Sequence, residues 1–249
     1  MQTFRRWIGA ALLALVVTPD GIAAPAATAV RLETEDGVRI VGDFFPTTER
    51  GQAPLAILLH MYRHDRTSWK PLIEPLHQAG FAVLAIDLRG HGESIAPDKM
   101  RLRERVVQRD PGLFNAMHLD VAAAIEWAKM QGGVDGERMV LVGASVGCSV
   151  ALDVCARDPG IDAVVCMTPG TNYLGVDSRL HVKKTRKVPI LLLATEEERA
   201  ATDDLAKLAK NVRGEIVGPG KIHGTRMFGK VAGVEKKIAD FLTESLKKP

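Results

Sequence analysis

Ser145 is the residue of this chain whose setting most directly permits chemistry. It stands in Gly143-Ala144-Ser145-Val146-Gly147, between an apolar run at 139–142 and a run with helical character at 149–154. Strand, G-x-S-x-G, helix is the context of a nucleophile elbow, in which a serine hydroxyl is lifted off a strand end into a crevice. The turn must be tight, so the positions two before and two after the serine call for glycine. It leaves the Val146 N–H at a helix N-terminus, where developing negative charge is stabilised. A bland strand-to-helix turn has the same composition, so the pentapeptide needs partners elsewhere.

A serine becomes a nucleophile when a base takes its proton, and the base needs an acid to orient it. Of the seven histidines, only His181 and His223 follow Ser145. His181 sits in a basic stretch whose one nearby carboxylate is Asp177. His223 follows an apolar run at 215–217 through Gly218-Pro219-Gly220, with Gly224 beside it, just before the last helical run. A loop histidine between glycines is the better base. For the acid, Thr195-Glu196-Glu197-Glu198 follows the apolar run ending at Ala194. Three adjacent glutamates also suit a negatively charged helix start. A glutamate accepts an imidazole N–H as well as an aspartate does, and the residues alone leave all three open.

These groups need a frame. Runs 29–33 and 38–45 alternate around Asp36-Gly37 and predict a hairpin. Continuous apolar runs at 53–59, 81–86, 139–142, 161–167 and 188–194 predict strands buried on both faces, with a shorter one at 215–217. Between them, helices are expected at 69–79, 101–108, 114–130, after the elbow, at 200–210 and at 231–246. The alternation predicts an α/β fold, a mostly parallel twisted sheet with helices on both faces, in a single domain over 27–249. In such sheets the functional crevice lies at the carboxyl ends of the strands. The loops at 60–65, 87–94, 143–148, 195–199 and 219–225 should therefore converge.

Composition narrows the partners. A chain of 249 residues, 46% hydrophobic, can bury a sizeable core. A formal net charge of +3 gives no footprint for nucleic acid. Arg5 and Arg6 precede an apolar run at 7–17 and an alanine-rich zone at 23–29, the pattern of a cleaved signal peptide over about 1–26. That run is about half of the roughly 20 residues a membrane span needs. The expectation is an exported protein, periplasmic or secreted, without stable membrane insertion. Three cysteines, Cys148, Cys155 and Cys166, do not make a disulfide scaffold, and they read as small buried residues.

Taken together, His60-Met61-Tyr62, Asp87-Leu88-Arg89-Gly90-His91-Gly92-Glu93-Ser94, the elbow, the 168–176 loop and His223-Gly224-Thr225 resemble the α/β-hydrolase superfamily. Within it, the chain is similar to small, capless, exported bacterial hydrolases related to dienelactone hydrolases. The resemblance spans nearly all of the chain after the leader. It implies that Arg89 and His91 brace a loop rather than react. It implies Glu198 as the acid, the third residue after the small Thr195, although relatives mostly carry aspartate there. It gives the first oxyanion amide to Tyr62, with Val146 the second. Met61 and Cys148 replace glycines common in relatives and are expected to narrow the space near the serine. The implied activity is hydrolysis of a small carboxylic ester or related acyl compound by Ser145, His223 and Glu198, with no cofactor. The rival expectation is a noncatalytic binding protein that keeps the scaffold.

Overall fold

The hairpin expected near the start is present in the computed structural model, which describes residues 26–47, 51–185 and 187–247. The leader expected over 1–26 lies, apart from Ala26, outside the described residues. Strands β1 (Thr28–Glu33) and β2 (Arg39–Phe45) pair antiparallel from Thr28↔Phe44 to Glu33↔Arg39. Then follow β3 (Ala53–Leu59), helix α1 (Lys70–Gln78), β4 (Ala82–Ile86), and the short helices α2 (Leu102–Val107) and α3 (Pro111–Asn115). Helix α4 (His118–Lys129), β5 (Val134–Ala144), α5 (Val146–Arg157), β6 (Ile161–Met167) and α6 (Ser178–Lys184) come next. The chain closes with β7 (Ile190–Ala194), α7 (Arg199–Ala206), β8 (Val212–Ile216) and α8 (Val234–Leu246).

The described strands form one sheet of eight in the order β1-β2-β4-β3-β5-β6-β7-β8. β2 joins β4 antiparallel, and every pair from β4 onward is parallel. The continuous apolar runs are explained by the two faces. In β3, Leu55, Ile57 and Leu59 enter the core under α4 and α5, while Ala56 and Leu58 enter the core under α1 and α8. β7 divides the same way, Ile190 and Leu192 against Leu191 and Leu193. Because successive side chains point to opposite faces, a strand covered on both sides must be apolar at every position.

Four expectations shift. The single helix expected at 114–130 is two, because the N–H groups of Ala116, Met117, Leu119 and Asp120 close i→i+3 bonds across the junction. The His118 ring also bonds the Asn115 carbonyl at 2.7 Å. β5 starts at Val134, with residues 136–138 bulging between the pairs Pro54↔Asp135 and Leu55↔Met139. β8 begins at Val212 rather than at 215. It is an edge strand with only Val212 buried, so its apolar signal is faint. The stretch around His181 is helical, with Asp177 capping α6 by accepting the Leu180 N–H at 3.1 Å. Its buried face of Ser178, His181 and Val182 is largely polar, so no apolar period announces it.

Candidate active site

The elbow has the geometry its sequence calls for. Ser145 has φ 54° and ψ −115°, a conformation costly for a residue with a Cβ. It is held there between the end of β5 and the start of α5, with its N–H donated to Met167 O at 2.9 Å. A Cβ on Gly143 would come 2.3 Å from Gly147 O, and one on Gly147 would come 2.1 Å from Leu59 O. Both glycines are therefore required by close backbone approach. Val146 opens α5, so its N–H belongs to the helix-terminal donors that have no intrahelical acceptor.

Two loops laced together set His223 against Glu198. The Glu196 N–H donates to Gly218 O at 2.9 Å and the Glu197 N–H to Gly220 O at 3.1 Å. The Ile222 N–H returns to Thr195 Oγ1 at 3.0 Å. The turn after β7 then directs Glu198 inward, and its Oε1 lies 2.8 Å from His223 Nδ1. Glu196 points outward onto Arg199 at 2.8 Å, and Glu197 is exposed. On the far side of His223, the Gly224 N–H donates to Thr168 Oγ1 at 3.0 Å, which ties this loop to the one after β6. His181 is elsewhere, packed beside Asp153 of α5 with Nδ1 3.3 Å from Oδ1.

Behind the serine, the loops after β3 and β4 are locked by buried polar groups. His60 is fully buried, with Nδ1 bonded to Met61 O at 2.9 Å and Nε2 accepting the Leu88 N–H at 3.0 Å. That pair of bonds requires the neutral Nδ1–H tautomer. Burial, reinforced by the His91 ring, holds the pKa of His60 down at about 3. Arg89 ion-pairs Asp120 of α4 through Nε at 2.7 Å and Asp36 of the hairpin at 2.6 Å. Burial pushes the Asp120 carboxyl up to about 7, while Arg89 pulls it the other way. Arg66 holds Asp87 at 2.5 Å and Asp43 at 3.0 Å. The D-x-R-G-H-G-x-S run is thus a brace.

Ser145 and His223 line one cavity of about 310 Å³ with Met61, Tyr62, Tyr173 and others. Ser145 is only 2% exposed. The partner of His223 Nε2 is Tyr173 Oη, at 3.4 Å, rather than Ser145 Oγ. His64, from the 60–65 loop, and Tyr173 and Leu174, from the 168–176 loop, also line it, together with Arg109 and Arg226, which the sequence did not single out. Of these two arginines, Arg226, three residues past His223, carried a positional signal. Met61 narrows the cavity as expected, but Cys148 does not. Its side chain is fully buried against the sheet, with Sγ 3.3 Å from both Gly143 O and Met167 O.

Residues 54–188 match the family described as serine aminopeptidase S33, and the chain belongs to that family of α/β-hydrolase fold. It is 32% identical over 154 residues to an uncharacterised protein of Mycobacterium tuberculosis, covering 61% of this chain and 49% of that protein. The chain thus spans about half the length of that relative. A dienelactone hydrolase from Anabaena variabilis superposes with a TM-score of 0.69 at 21% identity, over 90% of this chain and 97% of that one. Est1E from Butyrivibrio proteoclasticus, solved with ferulic acid bound, superposes at 0.71 with 15% identity, over 88% of this chain and 100% of that one. At those identities the likeness establishes the fold.

Proposed function

We propose that this chain is a serine hydrolase that cleaves a small carboxylic ester through an acyl-enzyme. The observation that carries the reading is the 2.8 Å contact between Glu198 Oε1 and His223 Nδ1 beside the cavity that Ser145 shares. Ser145 Oγ attacks the ester carbonyl carbon while its proton passes to His223 Nε2. For that step Nε2 exchanges Tyr173 for the serine, a tightening that accompanies substrate binding. The N–H groups of Val146 and Tyr62 hold the oxyanion, each worth roughly 3 kcal/mol of barrier. The carbonyl re-forms, the C–O bond to the alcohol breaks, and the alkoxide takes the proton from Nε2. A water then repeats the sequence on the acyl-enzyme and releases the acid.

The dienelactone hydrolase and Est1E superpositions support a hydrolase of small esters. The same reading includes export through the leader at 1–26, tested by the N-terminal mass of material recovered outside the cytoplasm. Catalysis is tested by incubating the purified protein with a fluorophosphonate and mapping the adduct. Label on Ser145, absent in Ser145→Ala, is expected. An unlabelled Ser145 together with no ester turnover would leave the noncatalytic binding role in its place.

A further inference from the structure

Thr168 opens the 168–176 loop with φ 52°. Arg63, Arg101, Arg109, Ser145 and Leu174 also have positive φ, but among these Thr168 is the only residue branched at Cβ. For a β-branched side chain that conformation is a true outlier, and an outlier held by its surroundings is a lead to function. Thr168 is also buried, at 3% exposure.

Its bonds reach the supports of all three reacting groups. On the nucleophile side, Met167 O, in the peptide that joins β6 to Thr168, accepts the Ser145 N–H at 2.9 Å. Towards the acid, the Thr168 N–H donates at 2.6 Å to Leu193 O of β7, the strand from which the Glu198 turn leaves. Towards the base, Thr168 Oγ1 accepts the Gly224 N–H at 3.0 Å, across 56 residues of chain.

His223 is thus gripped through its neighbours on both sides. Ile222 gives its N–H to Thr195 Oγ1 and Gly224 gives its N–H to Thr168 Oγ1, each at 3.0 Å. Both threonines are buried. The ring itself is held unevenly, with Nδ1 2.8 Å from Glu198 Oε1 and Nε2 at a looser 3.4 Å from Tyr173 Oη. Tyr173 belongs to the same loop as Thr168, so this loop meets the base at the backbone and at the ring.

We infer that Thr168 is a positioning residue, whose hydroxyl fixes the backbone at His223 while Nε2 passes from Tyr173 to Ser145 and Nδ1 stays on Glu198. The inference rests on the serine hydrolase reading and names a residue by which that site holds its base. Glycine adopts a positive φ without strain but brings no acceptor. Serine brings the acceptor on a freer χ1, whereas branching at Cβ stiffens χ1 and keeps Oγ1 aimed at Gly224. The strained threonine is the residue that combines the turn with a fixed acceptor.

The test removes the acceptor and keeps the shape. In Thr168→Val, kcat and kcat/KM for 4-nitrophenyl acetate should fall together by about ten- to a hundredfold, the effect of displacing a reacting group by about 1 Å, with KM within about threefold. Rates are taken per site that reacts with a fluorophosphonate, so unfolded molecules do not count. The valine variant should melt earlier, because it leaves the buried Gly224 N–H unpaired, and assays are run well below its midpoint. Thr168→Ala replaces it, with the same expectation, should valine prevent folding. Thr168→Ser, which keeps the hydroxyl, should recover most of the loss. A valine or alanine variant with wild-type kcat, a loss confined to KM, or a serine variant as slow as the valine one overturns the inference and leaves the serine mechanism standing. Wild-type protein that turns over no ester and leaves Ser145 unlabelled overturns the mechanism, and this inference with it.

Discussion

Replacing Glu198 by glutamine isolates a single charge. The side-chain length is kept, and the amide oxygen still accepts the Nδ1–H of His223, so the ring stays oriented. What disappears is the negative charge opposite the imidazolium that forms as Ser145 attacks. Two unit charges about 4 Å apart interact by about 4 kcal/mol at an effective dielectric of 20. With a tenfold rate change for each 1.36 kcal/mol, that bounds the loss at about 10³. Water reaches both partners, with His223 27% and Glu198 12% exposed at the side chain, so screening lowers the effect. The expected fall in kcat/KM for 4-nitrophenyl acetate is on the order of 10²- to 10³-fold. Glu196→Gln and Glu197→Gln act only on exposed charge, and Glu196 pairs with an equally exposed Arg199. Their rates should stay within about threefold. Glu198→Gln retaining most of the wild-type rate would refute the assignment of the acid. A crippled Glu197→Gln beside an active Glu198→Gln would refute the loop geometry as well.

Ser145→Gly should raise the melting temperature by about 2–4 °C over Ser145→Ala, because glycine relieves about 1 kcal/mol of the strain at φ 54°. Both variants should be inactive, and equal melting temperatures by calorimetry would count against strain at the elbow. His60 should remain neutral in the folded protein well below its ordinary pKa. The unfolded chain binds that proton below about pH 6.5 and the folded one only near 3, so stability falls as pH drops across that window. Between pH 7 and pH 5 wild type should lose about 2 kcal/mol more than His60→Gln in denaturant titrations, and parallel losses would refute a buried neutral ring. All three cysteines are buried, and burial raises the Cys148 and Cys155 thiols. A thiol-reactive disulfide should therefore label none of them in native protein and three after unfolding. Rapid labelling of the native protein would contradict this.

The amino-acid order by itself determined the sheet and the elbow. A strand buried on both faces has to be apolar at every position, so runs such as 53–59 and 188–194 could be read without a partner in view. The glycines flanking Ser145 were legible for a similar reason, because a backbone atom stands where each Cβ would be. His223 followed from its place after the serine. Glu198 could not be separated from Glu196 and Glu197 by residue type. The choice depends on the lacing of 195–197 onto 218–222, which turns one of three identical side chains inward. Helix α6 was hidden because two of its three buried positions, Ser178 and His181, are polar and sit against Ser149 and Asp153 of α5, distant in the chain. Only the tertiary structure placed Arg109 at the cavity, since it lies 36 residues before Ser145, outside the loops expected to converge there. Local pattern reports how much of a side chain is covered, and the identity of its neighbours is decided only when distant loops meet at the end of the sheet.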